Sequence, residues 1–247
     1  MIVKQTRELD LSALLTPKPN KSSADYVVTN IKELLLTKKI LPGEKLPSEM
    51  ELTRLLSVSR GSVREAMKML SALGIIEIKR GDGTYVSSNM DGKVLFDPLL
   101  FSFILTQSSI NELKELRLLL EKDVIRLVVK NATDSDIQTL RDCHETMETL
   151  KNDNTKFFNE ELLRCELEFH QIQGRITKNR LLEKIYNFVL EYFRPSIALG
   201  IEKHAYGSLE SKETHKNILE AIEKRDIIAA EKAVESSVEV WTALISK

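Results

Sequence analysis

Three basic side chains recur at helical spacing in the first third of the sequence. Arg60, Arg64 and Lys68 stand at i, i+4 and i+8, so a helix would carry them on one face. Arg can donate paired hydrogen bonds to guanine, and both Arg and Lys contact phosphate. The same spacing is common on ordinary solvated helices, so the function of this face depends on the elements that surround it.

An acid and an imidazole form a second group that could do chemistry. Glu166 and His170 are four residues apart, so both would lie on one helix face and could bind one metal ion. The pair alone is weak evidence for a metal.

Arg117 lies among leucines on a strongly apolar segment, and it is either a surface side chain with a buried stem or a buried charge that faces an anion.

The basic face falls on the third of three short predicted helices. Apolar residues at i, i+4 and i+7 predict a first helix from Ser23 that ends before Leu41. Ser48 precedes a second short helix, and Ser59 can cap a third whose buried stripe begins at Val63. The basic residues lie opposite this stripe, so the third helix would expose them.

A β-hairpin is predicted after the third helix. Ile76 and Ile78 alternate with polar residues, and Gly81 to Gly83 supplies a tight turn before Val86. Three helices followed by a hairpin predict a winged helix-turn-helix, in which the third helix enters the DNA major groove. The hairpin would be the wing.

The remainder of the chain is predicted to be helical. Capping patterns at Ser109 and Thr133 begin two long amphipathic segments, and Asp226 can cap the last one. The pattern predicts six or seven helices and no strand, so the fold class is mainly α. The predicted domains are a flexible arm (1–20), a winged helix-turn-helix DNA-binding domain (21–88) and an all-helical effector-binding and dimerisation domain (94–247).

The composition of the 247 residues excludes several classes of protein. A hydrophobic fraction of 42% is ample for a buried core, which excludes a disordered or collagen-like chain. The start lacks the apolar core of a signal peptide, no apolar run is long enough to span a membrane, and the two cysteines lack C-x-x-C spacing. We therefore expect a soluble cytoplasmic protein with reduced thiols.

We call the predicted DNA-binding domain (residues 21–88) the reading head and the predicted all-helical domain (residues 94–247) the helical body. The two parts of the chain differ in charge. The formal net charge of −1 argues, on its face, against a nucleic-acid binder. Residues 1–90, however, hold 14 Lys and Arg against 10 Asp and Glu, whereas residues 91–247 hold 22 against 27. The head is therefore weakly basic, and useful affinity for DNA should require two heads placed by a dimer.

The candidates for DNA contact lie at the start of the second helix, around the third helix and on the wing. Small and hydroxylated side chains at the helix N-terminus suit a phosphate, because backbone N–H groups and the helix dipole favour an anion there. The wing tip adds a cation beside a glycine, which suits a backbone or minor-groove contact. The candidate residues are Ser48, Ser59, Arg60, Gly61, Ser62, Arg64, Arg80 and Gly81.

The sequence resembles a known family over nearly all of residues 26–240. The segments LPSEMEL (46–52), VSRGSVREA (58–66), LGII (73–76) and GDGTYV (81–86) look like the N-terminal domain of GntR-family transcription regulators. The segments ELRLLLE (115–121) and HKNILEAIEKRD (215–226) look like the FCD-type effector domain of the FadR subfamily. The resemblance implies a homodimer that binds a palindromic operator in double-stranded DNA, as a repressor, and releases it when a small molecule occupies the helical domain.

Two positions depart from the family pattern. Met50 stands where the second helix usually has an Arg, and a thioether cannot donate to a base or phosphate, so operator preference or affinity should differ. Many relatives hold a divalent metal with Asp-x-x-x-His and two later histidines. Here Glu166, His170 and His215 stand at three of these positions, but Ser237 takes the last. Two interpretations stay open: a Zn, Ni or Mn ion on three ligands, or hydrogen-bonded histidines without metal.

The resemblance also implies an effector site. Arg117 would hold a small carboxylate or sugar acid together with His170 and His215, or with the metal on them. Arg164 and Asn179 are further candidates for lining the same pocket. Asn179 could instead cap the helix that follows it.

Two other functional classes fit the sequence less well. An enzyme would use the cluster at Glu166 as a catalytic metal site with Glu168 or His144 as base, but the chain has no glycine-rich phosphate loop, nucleophile elbow or H-E-x-x-H motif. A helical scaffold would need neither a basic helix face nor a wing. His144 and His204 are expected to face solvent, the latter in a turn between helices. The predicted function is a DNA-binding regulator and not an enzyme.

Overall fold

The structure is a computed structural model, and it describes residues 22–88, 98–106, 108–150, 156–204 and 209–246. The predicted flexible arm and the junction between the two predicted domains at 89–93 lie outside these ranges. Two compact units divide the chain, one within residues 1–98 and the other within residues 99–247. Each unit has its own hydrophobic core.

Three helices and a two-stranded hairpin form the first unit. They are α1 (Ser23–Leu36), α2 (Glu49–Leu56), α3 (Arg60–Ala72), β1 (Ile76–Lys79) and β2 (Gly83–Val86). The two strands pair antiparallel, with Ile76 opposite Val86, and Lys45 forms a bridge with Tyr85 of β2. This is the predicted winged helix-turn-helix.

Local side-chain bonds explain why α2 and α3 begin where they do. Ser48 and Glu51 form a reciprocal capping box at the start of α2, and the Ser59 hydroxyl accepts from the Ser62 N–H at the start of α3. Between them Ser57 adopts a left-handed conformation with φ 54°, which ends α2 sharply. The apolar stripe of α3 then packs on α1 and α2 in a core that includes Ile31, Leu52, Leu56, Val63, Met67 and Leu70.

Seven helices form the described part of the second unit, in agreement with the upper predicted number. They are α4 (Pro98–Leu105), α5 (Ile110–Asn131), α6 (Asp134–Thr149), α7 (Lys156–Ile176), α8 (Arg180–His204), α9 (Leu209–Glu223) and α10 (Ile227–Ile245). α10 packs on α5, α8 and α9, while α7 packs on α5, α6 and α8. No helix in the described part of the chain is both long and apolar enough to cross a bilayer.

The predicted caps of the helical body are confirmed. Ser109 and Thr133 each form a capping box at the start of α5 and α6, and Asp226 caps α10. Arg225, with φ 55°, donates to the carbonyls of Val129 and Ala132 and so satisfies the end of α5. These bonds fix the ends of the helices that carry the buried polar residues described below.

One predicted boundary in the helical body is wrong. α8 continues to His204, whereas the sequence pattern placed His204 in a turn between helices. Ile197 and Ile201 are both buried, so the apolar periodicity extends across Gly200 and holds the last turns against the core.

The two cysteines are buried in the core of the helical body. Burial raises the pKa of the Cys143 thiol to about 12, and burial also raises the pKa of Cys165. Both residues therefore persist as neutral thiols at physiological pH.

Candidate functional site

The basic face of α3 points away from the core of the reading head. Arg60, Arg64 and Lys68 are all exposed, whereas Val63 and Met67 on the opposite side are buried. The helix therefore presents cations on the face that packing leaves open. This is the arrangement that the i, i+4, i+8 spacing predicts.

The N-terminus of α3 is small and polar. The Ser59 hydroxyl lies 3.1 Å from the Ser62 backbone nitrogen and 2.8 Å from the Ser62 hydroxyl, and Gly61 between them is exposed without a side chain. A phosphate oxygen can approach a helix start of this kind closely, because no bulky group shields the first turn.

An ion pair holds Arg64 in place. Its Nε lies 2.9 Å from Oε2 of Glu49, the first residue of α2, and both side chains remain largely exposed. An exposed pair contributes little stability, but bonding through Nε orients the guanidinium and leaves its terminal nitrogens for another acceptor. Sequence reasoning missed Glu49, since fifteen residues separate the partners and no local spacing rule joins them.

The wing tip is braced from two sides. The Lys45 ammonium donates to the Asp82 carbonyl oxygen at 2.5 Å, and the Tyr85 hydroxyl donates to the Asp82 carboxylate at 2.9 Å. The Tyr85 hydrogen bond lowers the pKa of Asp82, so this acid stays charged and bound. Arg80 is exposed, and Gly81 beside it has φ 77°, a conformation that suits glycine.

Two predicted positions of α2 lie at its N-terminus. The Ser48 hydroxyl donates to Glu51 Oε2 at 2.7 Å, so it is engaged in the capping box. Met50 is 65% exposed, which places its thioether at the surface. The role of Ser48 in DNA contact stays a prediction.

A second site lies inside the helical body, where Glu166 and His170 of α7 meet His215 of α9. All three are buried, and their ligand atoms lie within 4.8 Å of one another. Glu166 Oε1 is 3.3 Å from His215 Nε2 and 3.7 Å from His170 Nε2. The structure thus brings together the three residues that the family resemblance names.

Neighbouring bonds orient this triad. The Tyr186 hydroxyl lies 2.9 Å from His170 Nδ1, which leaves His170 Nε2 toward Glu166. Among the described residues, neither His170 Nε2 nor His215 Nε2 has a hydrogen-bond partner. Although burial raises the pKa of Glu166, the His215 and His170 imidazoles lower it well below its ordinary value overall. A carboxylate with two imidazole nitrogens free of hydrogen bonds is a donor set that fits one divalent cation.

Arg117 is a buried charge and not a surface side chain. Its exposure is 3%, its Nε lies 2.7 Å from the buried carboxylate of Glu121, and its guanidinium carbon lies 4.7 Å from the centre of the Trp241 ring. The structure therefore settles the alternative that the sequence left open. A charge buried in this way is balanced by its acid partner and by the aromatic face.

A small cavity is lined by both Arg117 and Glu166, whereas His170 and His215 do not line it. It is lined by Arg117, Glu166, Ile197, Gly200, Thr214, Ser237, Val240, Trp241 and Leu244, and it has room for about one water molecule, about 10 Å³. Ser237, which stands where the family usually has a third histidine, is buried at this cavity beside Glu166.

Three other predicted polar residues lie away from the cavity. Arg164 is exposed and pairs with Glu161 and Glu168 on the surface of α7. Asn179 is exposed and caps α8, where its side-chain oxygen accepts from the backbone of residues 181 and 182. His144, expected to face solvent, is half-buried on α6. The structure does not bring Arg164 or Asn179 to Arg117.

Comparison with known families identifies the two units. The model for bacterial regulatory proteins of the gntR family matches residues 23–86, and the FCD domain model matches residues 112–239. The chain is a GntR-family transcription regulator with an FCD domain. It is a regulator and not an enzyme, and the resemblance stated from the sequence motifs is confirmed.

Similar proteins agree with this assignment. The HTH-type transcriptional repressor NanR of Citrobacter rodentium is 28% identical to this chain, and the match covers 92% of this chain and 88% of NanR. NanR of Salmonella schwarzengrund is 28% identical over 94% and 89%. The structure of Streptococcus agalactiae GntR matches with a TM-score of 0.61 and 26% identity over 89% of this chain and 99% of that one. E. coli McbR/YncC shares the fold, with a TM-score of 0.51 and 18% identity over 92% and 98%.

Proposed function

We propose that this GntR-family regulator is a cytoplasmic repressor that binds a palindromic operator as a homodimer. The dimer leaves the operator when a small carboxylate or sugar acid enters the helical body. Two observations support the proposal. The similar NanR proteins are named transcriptional repressors. The Arg117 guanidinium, which is paired with Glu121, lines the cavity, and its hydrogen-bond donors are of the kind that bind an organic acid.

The observation that carries the DNA-binding role is the exposed, oriented Arg64 on α3. An Arg bonded through Nε keeps the terminal nitrogens that can bond guanine O6 and N7 in the major groove. Arg60 is exposed one turn earlier on the same face. Ser59, Gly61, Ser62, Arg80 and Gly81 then supply phosphate contacts that set the register of the helix on DNA.

A second copy of the chain is supported by exposed apolar residues on α8. Leu181 and Ile185 lie four residues apart on one face and are 75% and 55% exposed. Phe188 and Tyr192 continue this face and make edge contacts with Phe103 of α4. A surface of this kind is costly in water, and a symmetric partner would cover it and place two reading heads for two half-sites.

The metal interpretation rests on the triad of Glu166, His170 and His215. When bound, a zinc, nickel or manganese ion would supply a Lewis acid that attracts an effector oxygen. The chain provides the ligands and, through Tyr186, the orientation of His170. Metal analysis of protein purified without a His tag, compared with His170→Ala, tests this part; protein of wild-type sequence without bound metal contradicts it.

Substitution of Arg64 tests the DNA-binding role. An operator selected from random duplexes with the wild-type protein serves as the probe, beside a scrambled duplex of equal length. We expect Arg64→Ala to lose the preference for the operator, because each lost Arg–guanine contact is worth about 1–3 kcal/mol and a dimer has two. The protein should remain folded, since Arg64 is exposed.

The matched control is Lys32→Ala on α1. Lys32 is also an exposed cation of the reading head, but it lies on another helix. We expect it to keep the preference for the operator. If Arg64→Ala shifts the operator as well as wild type does, the proposed role of α3 is wrong.

A further inference from the structure

Five helices of the body converge on the small cavity beside Arg117. α5 contributes Arg117, α7 contributes Glu166 and α9 contributes Thr214, while α8 and α10 supply the remaining wall. Ser237 and Trp241 lie four residues apart on α10, so they share one face of this helix. Both are buried and both line the cavity.

Trp241 adds a buried hydrogen-bond donor to this cavity. The residue is 6% exposed, and its indole Nε1–H has no hydrogen-bond partner among the described residues. A buried donor without an acceptor costs free energy, so native proteins rarely retain one without a reason. Phe193 packs edge-on against the indole, with ring centres 5.2 Å apart, and fixes its orientation.

The polar groups of Trp241 and Arg117, which line this cavity, favour a ligand that accepts hydrogen bonds. The indole nitrogen and the guanidinium can donate hydrogen bonds but cannot accept them. The hydroxyls of Ser237 and Thr214, which line the same cavity, can donate as well. An oxygen that carries negative charge satisfies these donors, and it would have to bind on the side of Arg117 and Trp241, because the Glu166 carboxylate also lines the cavity and would repel it.

We propose that Trp241 is a specificity-determining residue, whose Nε1–H donates a hydrogen bond to the carboxylate of an effector held beside Arg117. The inference rests on the proposed function, because it names a residue of the same effector site. It adds that the acid group, and not the sugar or hydroxyl portion of the effector, faces α10. It also assigns a role to Ser237, whose small side chain leaves space next to the indole.

Because the cavity is small, binding of a ligand should change the surroundings of Trp241 and should therefore be detectable. Room for about one water molecule is less than an organic acid needs, so binding must move side chains around Trp241. Trp241 is the single tryptophan of the chain, so its emission reports on this site alone. Binding of an acid should therefore change the fluorescence of the wild-type protein directly.

The experiment compares acids with a neutral sugar. Acetate, lactate, D-gluconate and D-glucuronate are titrated into the wild-type protein while Trp241 emission is recorded, and D-glucose serves as the neutral counterpart of D-glucuronate. The affinity of the acid that responds is then measured by calorimetry on Trp241→Phe, which keeps an aromatic ring for Arg117 but removes the donor. We expect binding about 10- to 100-fold weaker, as for the loss of a hydrogen bond to a charged group.

Two further variants keep the test decisive. Ser237→Val fills the space beside the indole and should abolish acid binding even if Trp241→Phe does not fold. Thr242→Val removes a hydroxyl from the same helix that bonds the Val238 carbonyl and does not line the cavity, so it should bind the acid as wild type does. Operator binding without acid should be unchanged in Thr242→Val.

The outcomes separate this inference from the proposed function. Equal acid affinity in Trp241→Phe and wild type overturns the role of Trp241, as does a wild-type emission that no acid of the panel changes. Emission that D-glucose changes as strongly as D-glucuronate overturns the carboxylate assignment. If the wild-type protein selects no operator in the first place, it is the proposed function that fails.

Discussion

The charged residues of the reading head and those of the helical body differ in their contact with water. Arg60 and Arg64 are exposed on α3, whereas Arg117 and Glu121 are buried against each other in the body. An exposed ion pair is worth little to stability, but removal of one partner from a buried pair leaves an uncompensated charge. The head can therefore lose its exposed charges without unfolding, whereas the body depends on its buried charges for stability.

The largest expected effect follows from the removal of Glu121. Glu121→Ala leaves the Arg117 guanidinium buried without its acid, and we expect a loss of about 3–5 kcal/mol in the free energy of unfolding of the body. Urea unfolding followed by Trp241 emission measures this unit selectively, because the reading head has no tryptophan.

The matched control for this prediction is Glu220→Ala. Glu220 of α9 pairs with Lys224, the residue just after this helix, and their side chains are 43% and 69% exposed. Its loss should change stability by less than about 0.5 kcal/mol. Similar effects of the two substitutions would contradict the distinction between exposed and buried charge.

A smaller effect is expected at the wing, where two glycines differ in their surroundings. Gly83 has φ 149°, and a Cβ there would overlap Lys45 Cε, whereas a Cβ at Gly81 with φ 77° would meet open space. Both substitutions to Ala strain the backbone, by about 1–3 kcal/mol. Only Gly83→Ala should also displace the Lys45 side chain that bonds Asp82.

Hydrogen exchange of the head amides and operator affinity distinguish these two variants. We expect Gly83→Ala to lower protection more than Gly81→Ala does, and to weaken operator binding through the wing. Equal protection in the two variants would show that the contact between Lys45 and Asp82 does not brace the wing.

The smallest expected effect compares two helix caps. Ser59 caps α3 in the head and Ser109 caps α5 in the body, and replacement of either by Ala should cost about 1 kcal/mol. Only Ser59→Ala should also weaken operator binding, because its cap lies where we place a phosphate. Thermal unfolding and operator titration of both variants check this; equal operator affinity for Ser59→Ala and wild type would remove Ser59 from the DNA contacts.

Most of the fold could be predicted from the sequence because its signals are local. Capping residues such as Ser59, Thr133 and Asp226 start helices by bonds to the next turn, and apolar periodicity marks the buried face. The end of α8 could not be predicted, since burial of Ile201 against the core decides it.

In the candidate sites, too, the local features could be predicted from the sequence, whereas the contacts between helices could not. The basic face of α3 follows from spacing within one helix. Glu49, Tyr186 and Trp241 were missed, because each acts through a contact between helices that no sequence rule links. Glu121 could have been predicted as the partner of Arg117, since it lies four residues after Arg117 on the same helix.

The salt dependence of operator affinity tests the central claim most directly, which is that exposed cations on two reading heads bind one DNA duplex. If the dimer neutralises about 6 to 10 phosphates, affinity should fall about 10³- to 10⁵-fold between about 50 and 200 mM salt. Arg64→Ala should lose discrimination between operator and scrambled duplex while keeping most of this slope, because a base contact sets specificity and phosphate contacts set the slope. An operator affinity that hardly changes over this range would contradict the account.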